Sequence, residues 1–153
     1  MKSKKTALVQ AVDLLARQAH STARLTRKLK QRQYETEDID EVVSKLTQRG
    51  YLNDEELCRQ QFFRYYEERH YSVKYICYKL MQQGFSSAMI NENIPEDTSA
   101  REIDTAAKLL LRKFKGQETK DKMMQYLYGK GFSTNVCRDA VRCFEQSQET
   151  ELF

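Results

Sequence analysis

Apolar residues along this chain follow a pattern that occurs three times, at offsets of 51 and then 47 residues. In each copy an apolar pair spaced i, i+4 precedes an aromatic residue, and two further, mostly apolar positions come after it. The copies are Leu25, Leu29, Tyr34, Ile39 and Val43; Ile76, Leu80, Phe85, Ile90 and Ile94; and Met123, Leu127, Phe132, Cys137 and Val141. Residues four apart share one face of a helix, so each pair marks a buried helical face. A repeat of about 40 to 50 residues is typical of helical arrays whose units pack against their neighbours.

The pattern predicts three helices in every copy. We therefore expect an all-α protein, an elongated array of three tandem three-helix repeats of helix-turn-helix type, which form one continuous repeat domain. The repeats are predicted at residues 6–50, 51–96 and 97–147. Only Pro95 would break a helix outright, and the last helix is predicted from Ser133 to about Gln146.

Residues that start and end the helices also recur. Ser21 and Ser72 precede the second helix of the first two repeats by the same interval, and serine is a good N-cap. Gly84 and Gly131 stand directly before the aromatic residue, where a left-handed residue ends a helix. Gln33 takes that position in the first repeat, so we expect a looser or differently shaped turn there.

Composition excludes several classes of protein. Hydrophobic residues make up 40% and charged residues 31%, a balance that argues against a disordered chain or a membrane protein. No apolar run approaches the roughly 18 residues of a membrane span, and the start of the chain lacks the apolar stretch of a secretory signal. We expect a cytoplasmic protein.

The cysteines and histidines also favour a protein of a reducing compartment without a metal site. The cysteines form no C-x-x-C pair, and most of them lie far in sequence from the histidines, so we expect no metal site. We interpret the cysteines as small apolar side chains in a reducing compartment. They are Cys58, Cys77, Cys137 and Cys143. The chain also contains no phosphate-binding loop, zinc-protease motif or nucleophile elbow, so we expect neither a cofactor nor an enzyme.

Charge is unevenly distributed, although the formal net charge is only +4. The segment from Arg17 to Arg32 holds six basic residues and no acid, whereas the next ten positions hold five acids and no base. Bases of the second helix are candidates for binding phosphates or an acidic protein groove. These candidates are Arg24, Arg27, Lys28, Lys30 and Arg32. The alternative is a solvated face whose charges offset the acids of the third helix.

The second and third repeats carry further candidates. Aromatic and basic residues alternate in the second repeat, and tyrosine with arginine is a common composition for interfaces and for platforms that stack unpaired bases. The aromatic candidates are Tyr65, Tyr66, Tyr71, Tyr75 and Tyr78, and the basic ones are Arg64, Arg69, Lys74, Lys79, Lys108, Arg112 and Lys113. The alternative is that the tyrosines pack between repeats with their hydroxyl groups in water.

Three kinds of motif accompany the repeats: the Gly-Tyr-Leu-Asn-Asp-Glu-Glu-Leu stretch from Gly50 to Leu57, the Gly-Phe turns at 84–85 and 131–132, and the Leu-Leu-Ala-Arg stretch from Leu14 to Arg17. Together they resemble the RecX family, bacterial regulators of the RecA recombinase. The resemblance extends from about Ala7 to Phe144. The chain departs from the family at Asn53, usually an acid, at Leu57, often aromatic, and at Tyr71, often glycine.

The resemblance implies a curved array that lies in the groove of the RecA filament on DNA. It implies inhibition of the recombinase ATPase, of strand exchange and of filament growth, and a place in recombination, DNA repair and the SOS response. We expect the RecA filament as the partner, weak binding to single- and double-stranded DNA, no membrane partner, and a monomer.

Two other functions remain open from the residues. One is a helix-turn-helix DNA-binding protein, because three-helix units with a basic helix have that character. Acids in the third helices argue against it: the helix of the first repeat begins with residues such as Glu37 and Asp38, and that of the second carries Glu92. The other is a helical-repeat adaptor for a different protein partner.

Overall fold

The computed structural model describes residues 3–116 and 118–151, and every regular element within them is a helix. The all-α prediction is therefore confirmed. The helices are α1 (Ala7–Arg17), α2 (Thr22–Gln31), α3 (Thr36–Gln48), α4 (Asp54–Glu68), α5 (Val73–Gln82), α6 (Ser87–Asn91), α7 (Ser99–Lys113), α8 (Lys120–Gly129) and α9 (Thr134–Glu151). Among these residues no helix combines the length and the apolar composition that a membrane span requires. We call α1–α3, α4–α6 and α7–α9 repeats one, two and three.

Helix α9 is longer than predicted, since it continues to Glu151 instead of ending near Gln146. The extra residues include glutamine and glutamate, which favour helix, and no glycine or proline interrupts them. The hydroxyl of Thr150 also donates to the carbonyl oxygen of Gln146 at 3.0 Å. The prediction of an early end was therefore wrong.

The chain forms two compact units. Unit 1 takes the residues up to Gln61 together with Leu80–Ile90, and unit 2 takes Phe62–Lys79 together with the residues from Asn91 onwards. Helices α1, α2 and α3 enclose the main core of unit 1, and α7, α8 and α9 enclose that of unit 2. The residues of the threefold apolar pattern are buried except Tyr34, Val43 and Ile94, which are half-buried.

The turn before the aromatic residue has the same form in all three repeats. Gln33, Gly84 and Gly131 have φ angles of 66°, 95° and 96°, all in the left-handed region. In each turn the amide of the following aromatic residue donates to the carbonyl oxygen five residues earlier, at 3.2 or 3.3 Å. The expectation of a differently shaped turn at Gln33 was therefore wrong. A non-glycine residue bears a conformational cost there, which the closing hydrogen bond and the packing of the aromatic ring offset.

Glycine is required in the later turns because another repeat lies against them. A Cβ atom on Gly84 would clash with the Cβ of Ala23, and one on Gly131 would lie 2.7 Å from the Oγ of Ser72. Gln33 is exposed, so its side chain is not pressed by another repeat in this way. Close approach of the repeats therefore adds a second reason for glycine beside the positive φ of the turn.

The N-cap serines hold those turns in place. The Oγ of Ser21 accepts from the amide of Arg24 at 3.2 Å and donates to the carbonyl oxygen of Gln83 at 2.6 Å. Ser72 repeats both bonds, accepting from Tyr75 at 3.1 Å and donating to Lys130 at 2.7 Å. Both serines are buried. Each therefore caps its own helix and binds the turn of the next repeat.

A carboxylate from the next repeat completes each junction. Asp54 Oδ1 accepts from the amide of Thr22 at 2.8 Å, and Glu102 accepts from the amide of Val73 at 3.2 Å. A negative charge at the start of a helix is favourable because the free amides and the helix dipole are positive there. Helices α2 and α5 thus begin on acids that a different repeat supplies.

In unit 2 the buried Arg101 extends this network. Its guanidinium donates to the carbonyl oxygens of Tyr66 at 3.0 Å and Tyr71 at 2.6 Å, and to Glu102 Oε1 at 2.6 Å. Burial raises the pKa of Glu102, while Arg101 and the Val73 amide oppose that rise. In the turn after α4 the left-handed residue is Arg69, with φ of 56°, and not Tyr71. The departure at Tyr71 therefore does not fall on the position that favours glycine.

Candidate interaction surfaces

Helix α2 carries its basic residues on the sides that its apolar pair leaves open. Leu25 and Leu29 are fully buried, which orients the rest of the helix towards solvent. We call Arg24, Arg27, Lys28, Lys30 and Arg32 the α2 basic surface; Arg24 and Lys28 are half-buried and the other three are exposed.

The α2 basic surface has no acidic partner within the described residues. None of its side chains lies within 4.0 Å of a carboxylate, although other bases form such pairs. In α3, Glu41 pairs with Lys45 at 3.4 Å rather than with α2. The predicted offset by the acids of the third helix therefore does not take the form of direct ion pairs. The positive potential of this surface remains available to a partner.

Lys28 is held by a histidine that the sequence analysis did not select. His20 is buried; its Nδ1–H donates to the carbonyl oxygen of Gln18 at 2.6 Å, and its Nε2 accepts from Lys28 Nζ at 2.9 Å. Burial lowers the pKa of His20, and the charges of Lys28 and Arg24 add to this effect. The neutral imidazole thus fixes the Lys28 ammonium on the surface.

Arg24, Arg27 and Lys28 all lie on α2, at the i, i+3 and i+4 spacing of one helical face. The pKa of Lys28 lies below its usual value, first because of desolvation and then because Arg24, Arg32 and Arg27 repel its charge. Arg27 and Lys30 also line a shallow, open depression on α2. Concentrated like charge of this kind favours binding of an anion.

Four of the five candidate tyrosines form a continuous row in unit 2. The ring centroids lie 6.0 Å apart for Tyr65 and Tyr71, 5.0 Å for Tyr71 and Tyr75, and 6.0 Å for Tyr75 and Tyr78. Tyr75 and Tyr78 are 41% and 55% exposed. Tyr66 is different, because it stacks on the ring of the buried Phe62 at 5.7 Å. We call Tyr65, Tyr71, Tyr75 and Tyr78 the tyrosine row.

Basic side chains lie over this row. Lys79 Nζ is 5.0 Å from the centroid of Tyr71 and 5.6 Å from those of Tyr65 and Tyr75. The guanidinium of Arg64 is 5.1 Å from the ring of Tyr65. These distances fall within the range of cation–π attraction. The alternation of aromatic and basic residues in the sequence therefore becomes one mixed surface.

The bases of α7 have more varied surroundings. Lys108 and Arg69 both pair with Asp104, and Arg112 Nη1 donates to His70 Nδ1 at 3.3 Å. Lys74 on α5 and Lys113 on α7 are exposed and form no ion pair with a described residue. Asp104 was not singled out from the sequence; Lys108 lies four residues further along the same helix, whereas Arg69 comes from a distant position.

No disulfide joins the four cysteines, and they are not all core residues. Cys58 and Cys137 are buried, Cys77 is half-buried and Cys143 is exposed. Burial raises the pKa of the Cys77 and Cys137 thiols, which keeps them protonated. Among residues 3–116 and 118–151, no group of His, Cys, Asp and Glu side chains is placed to hold a metal ion.

Known proteins similar to this chain form one consistent group. A family model for the RecX first three-helix domain matches residues 7–51, and one for the RecX third three-helix domain matches residues 100–141. A regulatory protein RecX from Pseudomonas entomophila is 34% identical over 134 residues, which cover 82% of this chain and 83% of that protein. A regulatory protein RecX from Thermus thermophilus is 31% identical over 143 residues, covering 94% of this chain and 95% of that protein.

Solved structures agree on the fold. The crystal structure of RecX from Lactobacillus salivarius matches with a TM-score of 0.77 at 16% identity, over 92% of this chain and 95% of that one. The crystal structure of a regulatory protein RecX matches with a TM-score of 0.76 at 23% identity, over 85% of this chain and 68% of that one.

Proposed function

This chain belongs to the RecX family, and we therefore propose that it regulates the RecA recombinase by binding the filament that RecA forms on DNA. In this proposal it binds as a monomer in the cytoplasm and inhibits the RecA ATPase, strand exchange and filament growth. It thereby modulates recombination, DNA repair and the SOS response. The similar proteins are named as regulatory proteins, which agrees with a non-enzymatic role.

The observation that carries the proposal is the α2 basic surface, five cationic side chains that no described carboxylate neutralises. A recombinase filament on DNA offers phosphates and acidic protein side chains along its length. Unpaired cations on a protein surface steer association with such a partner and sharpen its salt dependence.

A second candidate surface supports the same partner. The tyrosine row and its cations form a second surface, in unit 2, with a different chemistry from that on α2. Two modest sites on one chain gain affinity for a repetitive partner, because binding of the first raises the effective concentration of the second. Weak binding to free single- and double-stranded DNA is expected as well.

A helix-turn-helix DNA reader is the less favoured candidate. In α3 the residues Glu37, Asp38 and Asp40 are exposed, and they would repel the phosphates that flank a DNA groove. The third helix of repeat two, α6, contains only five residues, Ser87–Asn91. Helices α3 and α6 therefore make poor recognition helices. A helical-repeat adaptor for another protein remains the other alternative.

The proposal is tested by the ATPase activity of RecA on single-stranded DNA with this protein titrated in. We expect inhibition at or below one molecule per RecA monomer. Replacing Arg24, Arg27 and Lys28 together by glutamate should weaken inhibition by roughly tenfold or more, which corresponds to about 1.4 kcal/mol per tenfold.

A matched control has the same change in net charge at a different place. Lys45, Arg138 and Arg142 are exposed and lie outside the α2 basic surface, so their replacement by glutamate should leave inhibition nearly unchanged. Circular dichroism would verify that both variants fold. Lack of inhibition by the unmodified protein at stoichiometric ratios would refute the proposed function. If the two triple variants weakened inhibition equally, the net charge of the protein, and not the α2 basic surface, would account for the effect.

A further inference from the structure

A cleft in unit 2 joins one end of the tyrosine row to residues of repeat three. It has a volume of about 200 Å³, and its lining includes His70, Tyr71, Tyr75, Leu109, Tyr126 and Lys130. Pockets for drug-sized ligands have roughly 300–1,000 Å³. A cleft below this range has room for one planar ring system, with the rest of a larger ligand outside it.

Aromatic faces form the walls of this cleft. The rings of Tyr71 and Tyr75 are 5.0 Å apart and inclined at 42°, and Tyr75 is 41% exposed. Tyr126 comes from α8, where the ring of Phe114 meets it edge-on at 5.5 Å. Within the described part of the chain the hydroxyl groups of these three tyrosines have no hydrogen-bond partner, whereas the hydroxyl of Tyr34 donates to a backbone carbonyl. A planar ligand with polar edges would find both stacking surfaces and hydrogen-bonding groups here.

The charged groups at the cleft are cationic. Lys130 Nζ lies 5.6 Å from the Tyr126 centroid, and Lys79 Nζ lies 5.0 Å from that of Tyr71. Arg112 Nη1 lies 3.3 Å from Nδ1 of His70, so these two side chains form a pair beside the cleft. None of the residues that line the cleft is acidic. The cleft therefore suits a ligand that is planar in one part and anionic in another.

The cleft is also preorganised by the junction between repeats two and three. Ser72, which contributes to its lining, accepts from the Tyr75 amide and donates to the Lys130 carbonyl oxygen. These bonds fix the backbone of two lining residues, Tyr75 on α5 and Lys130 directly after α8. A preformed site binds its ligand without the cost of ordering its walls.

We propose that this cleft binds one unpaired base of single-stranded DNA, which stacks on Tyr71, Tyr75 and Tyr126 while the adjacent phosphates contact Lys130 and the pair formed by Arg112 and His70. Stacking on aromatic side chains beside a cationic groove is the general mode by which proteins hold single strands. An acidic peptide would use the cations but would leave the aromatic faces without a planar partner. Duplex DNA keeps its bases stacked inside the helix. This inference rests on the proposed function only in its choice of DNA.

The test uses the full chain without RecA. Fluorescence anisotropy would compare a labelled oligothymidylate with an abasic oligomer of the same length, which keeps the phosphates and lacks the bases. We expect the oligothymidylate to bind roughly tenfold more tightly, because stacking of a base on aromatic side chains contributes that much or more. Duplex DNA of the same length should show no such gain.

Variants then locate the effect. Tyr75→Ala and Tyr126→Leu should abolish the preference for bases over the abasic oligomer and leave binding of the abasic oligomer unchanged. The leucine keeps apolar contact with the core of unit 2, so the second variant guards against loss of folding. The control is Tyr128→Ala, because Tyr128 lies on the same helix as Tyr126, is 63% exposed and does not line the cleft. That variant should retain the preference.

Photochemical crosslinking gives an independent measurement. A strand that carries 5-iododeoxyuridine should crosslink to Tyr71, Tyr75 or Tyr126, as located by mass spectrometry. Equal binding of the two oligomers, crosslinks confined to other residues, or displacement of the strand only by an acidic peptide would overturn the inference. If the protein prefers bases but fails to inhibit RecA, the proposed function is refuted and base binding in the cleft stands. If it inhibits RecA but shows no preference for bases, only base binding in the cleft is refuted.

Discussion

The junction between repeats one and two, in unit 1, and the junction between repeats two and three, in unit 2, use the same hydrogen bonds in different electrostatic surroundings. In both, a buried serine binds the turn of the next repeat and a carboxylate caps the helix that follows the serine. In unit 1 the carboxylate is the half-buried Asp54. In unit 2 it is Glu102, which is 7% exposed and pairs with the equally buried Arg101.

The difference shows how one repeat design tolerates two levels of burial. A half-buried carboxylate remains partly solvated, so hydrogen bonds with an amide and a hydroxyl suffice. A buried carboxylate needs a countercharge, since an isolated charge in a protein interior is strongly unfavourable. Arg101 supplies it and also binds carbonyl oxygens near the end of α4. The second junction should therefore depend far more on a single residue than the first.

The largest effect is expected for Arg101→Ala. It leaves Glu102 as a buried, uncompensated charge, so the free energy of unfolding should fall by about 3–5 kcal/mol. Asp54→Ala, the counterpart in unit 1, should cost only about 1 kcal/mol, as loss of a helix cap does. Urea denaturation followed by circular dichroism would measure both. Similar losses in the two variants would contradict the comparison.

The pH dependence of the Arg101→Ala variant sharpens this test. Burial already raises the pKa of Glu102, and loss of Arg101 raises it further. A group with a raised pKa in the folded state contributes stability below its unfolded pKa and loses it as the pH rises through the folded pKa. The deficit relative to the unmodified protein should therefore be smaller near about pH 4 than at about pH 7.5. A deficit independent of pH would indicate lost packing instead of an unpaired charge.

A smaller effect is expected for Gly131→Ala, which tests the close approach in unit 2. Alanine at this position would have to keep an unfavourable positive φ, and its Cβ would press on the Oγ of Ser72. We therefore expect the free energy of unfolding to fall by about 2–3 kcal/mol. Gly50→Ala is the matched control, because Gly50 also has a positive φ but nothing lies within 4 Å of its added Cβ. It should lose only about 1 kcal/mol. Thermal denaturation would measure the loss of stability in both variants. Equal losses would show that the contact with Ser72 is unimportant.

The smallest effect, and the only stabilising one, is expected for Gln33→Gly. Gln33 holds the left-handed conformation in an exposed turn, so glycine should relieve strain there. We expect the free energy of unfolding to rise by about 0.5–1 kcal/mol, after the greater flexibility of glycine in the unfolded chain is deducted. Chemical denaturation beside the unmodified protein would measure the gain. A loss of stability would mean that the glutamine side chain makes a contribution of its own to repeat one.

Part of the candidate surfaces could be foreseen from the sequence. The basic run on α2 needs only helical spacing to place Arg24, Arg27 and Lys28 on one side of a helix, and all three lie on α2. Tyr126 and Lys130 were not associated with the tyrosines of repeat two, because they lie about fifty residues further along the chain. Nor did the sequence separate Tyr66, which packs on Phe62, from the row that continues to the exposed Tyr78. The division into residues 6–50, 51–96 and 97–147 stays a prediction.

The sequence by itself determined the helices and their buried faces, because both follow from local rules: apolar residues at helical spacing, serine and threonine at helix starts, and glycine at helix ends. Only the tertiary structure decided why Gly84 and Gly131 are glycine while Gln33 is not, and why Arg101 and Glu102 are buried together. These features depend on atoms of another repeat that come within contact distance. Such long-range contacts leave no periodic signal in one sequence, so packing alone determines them.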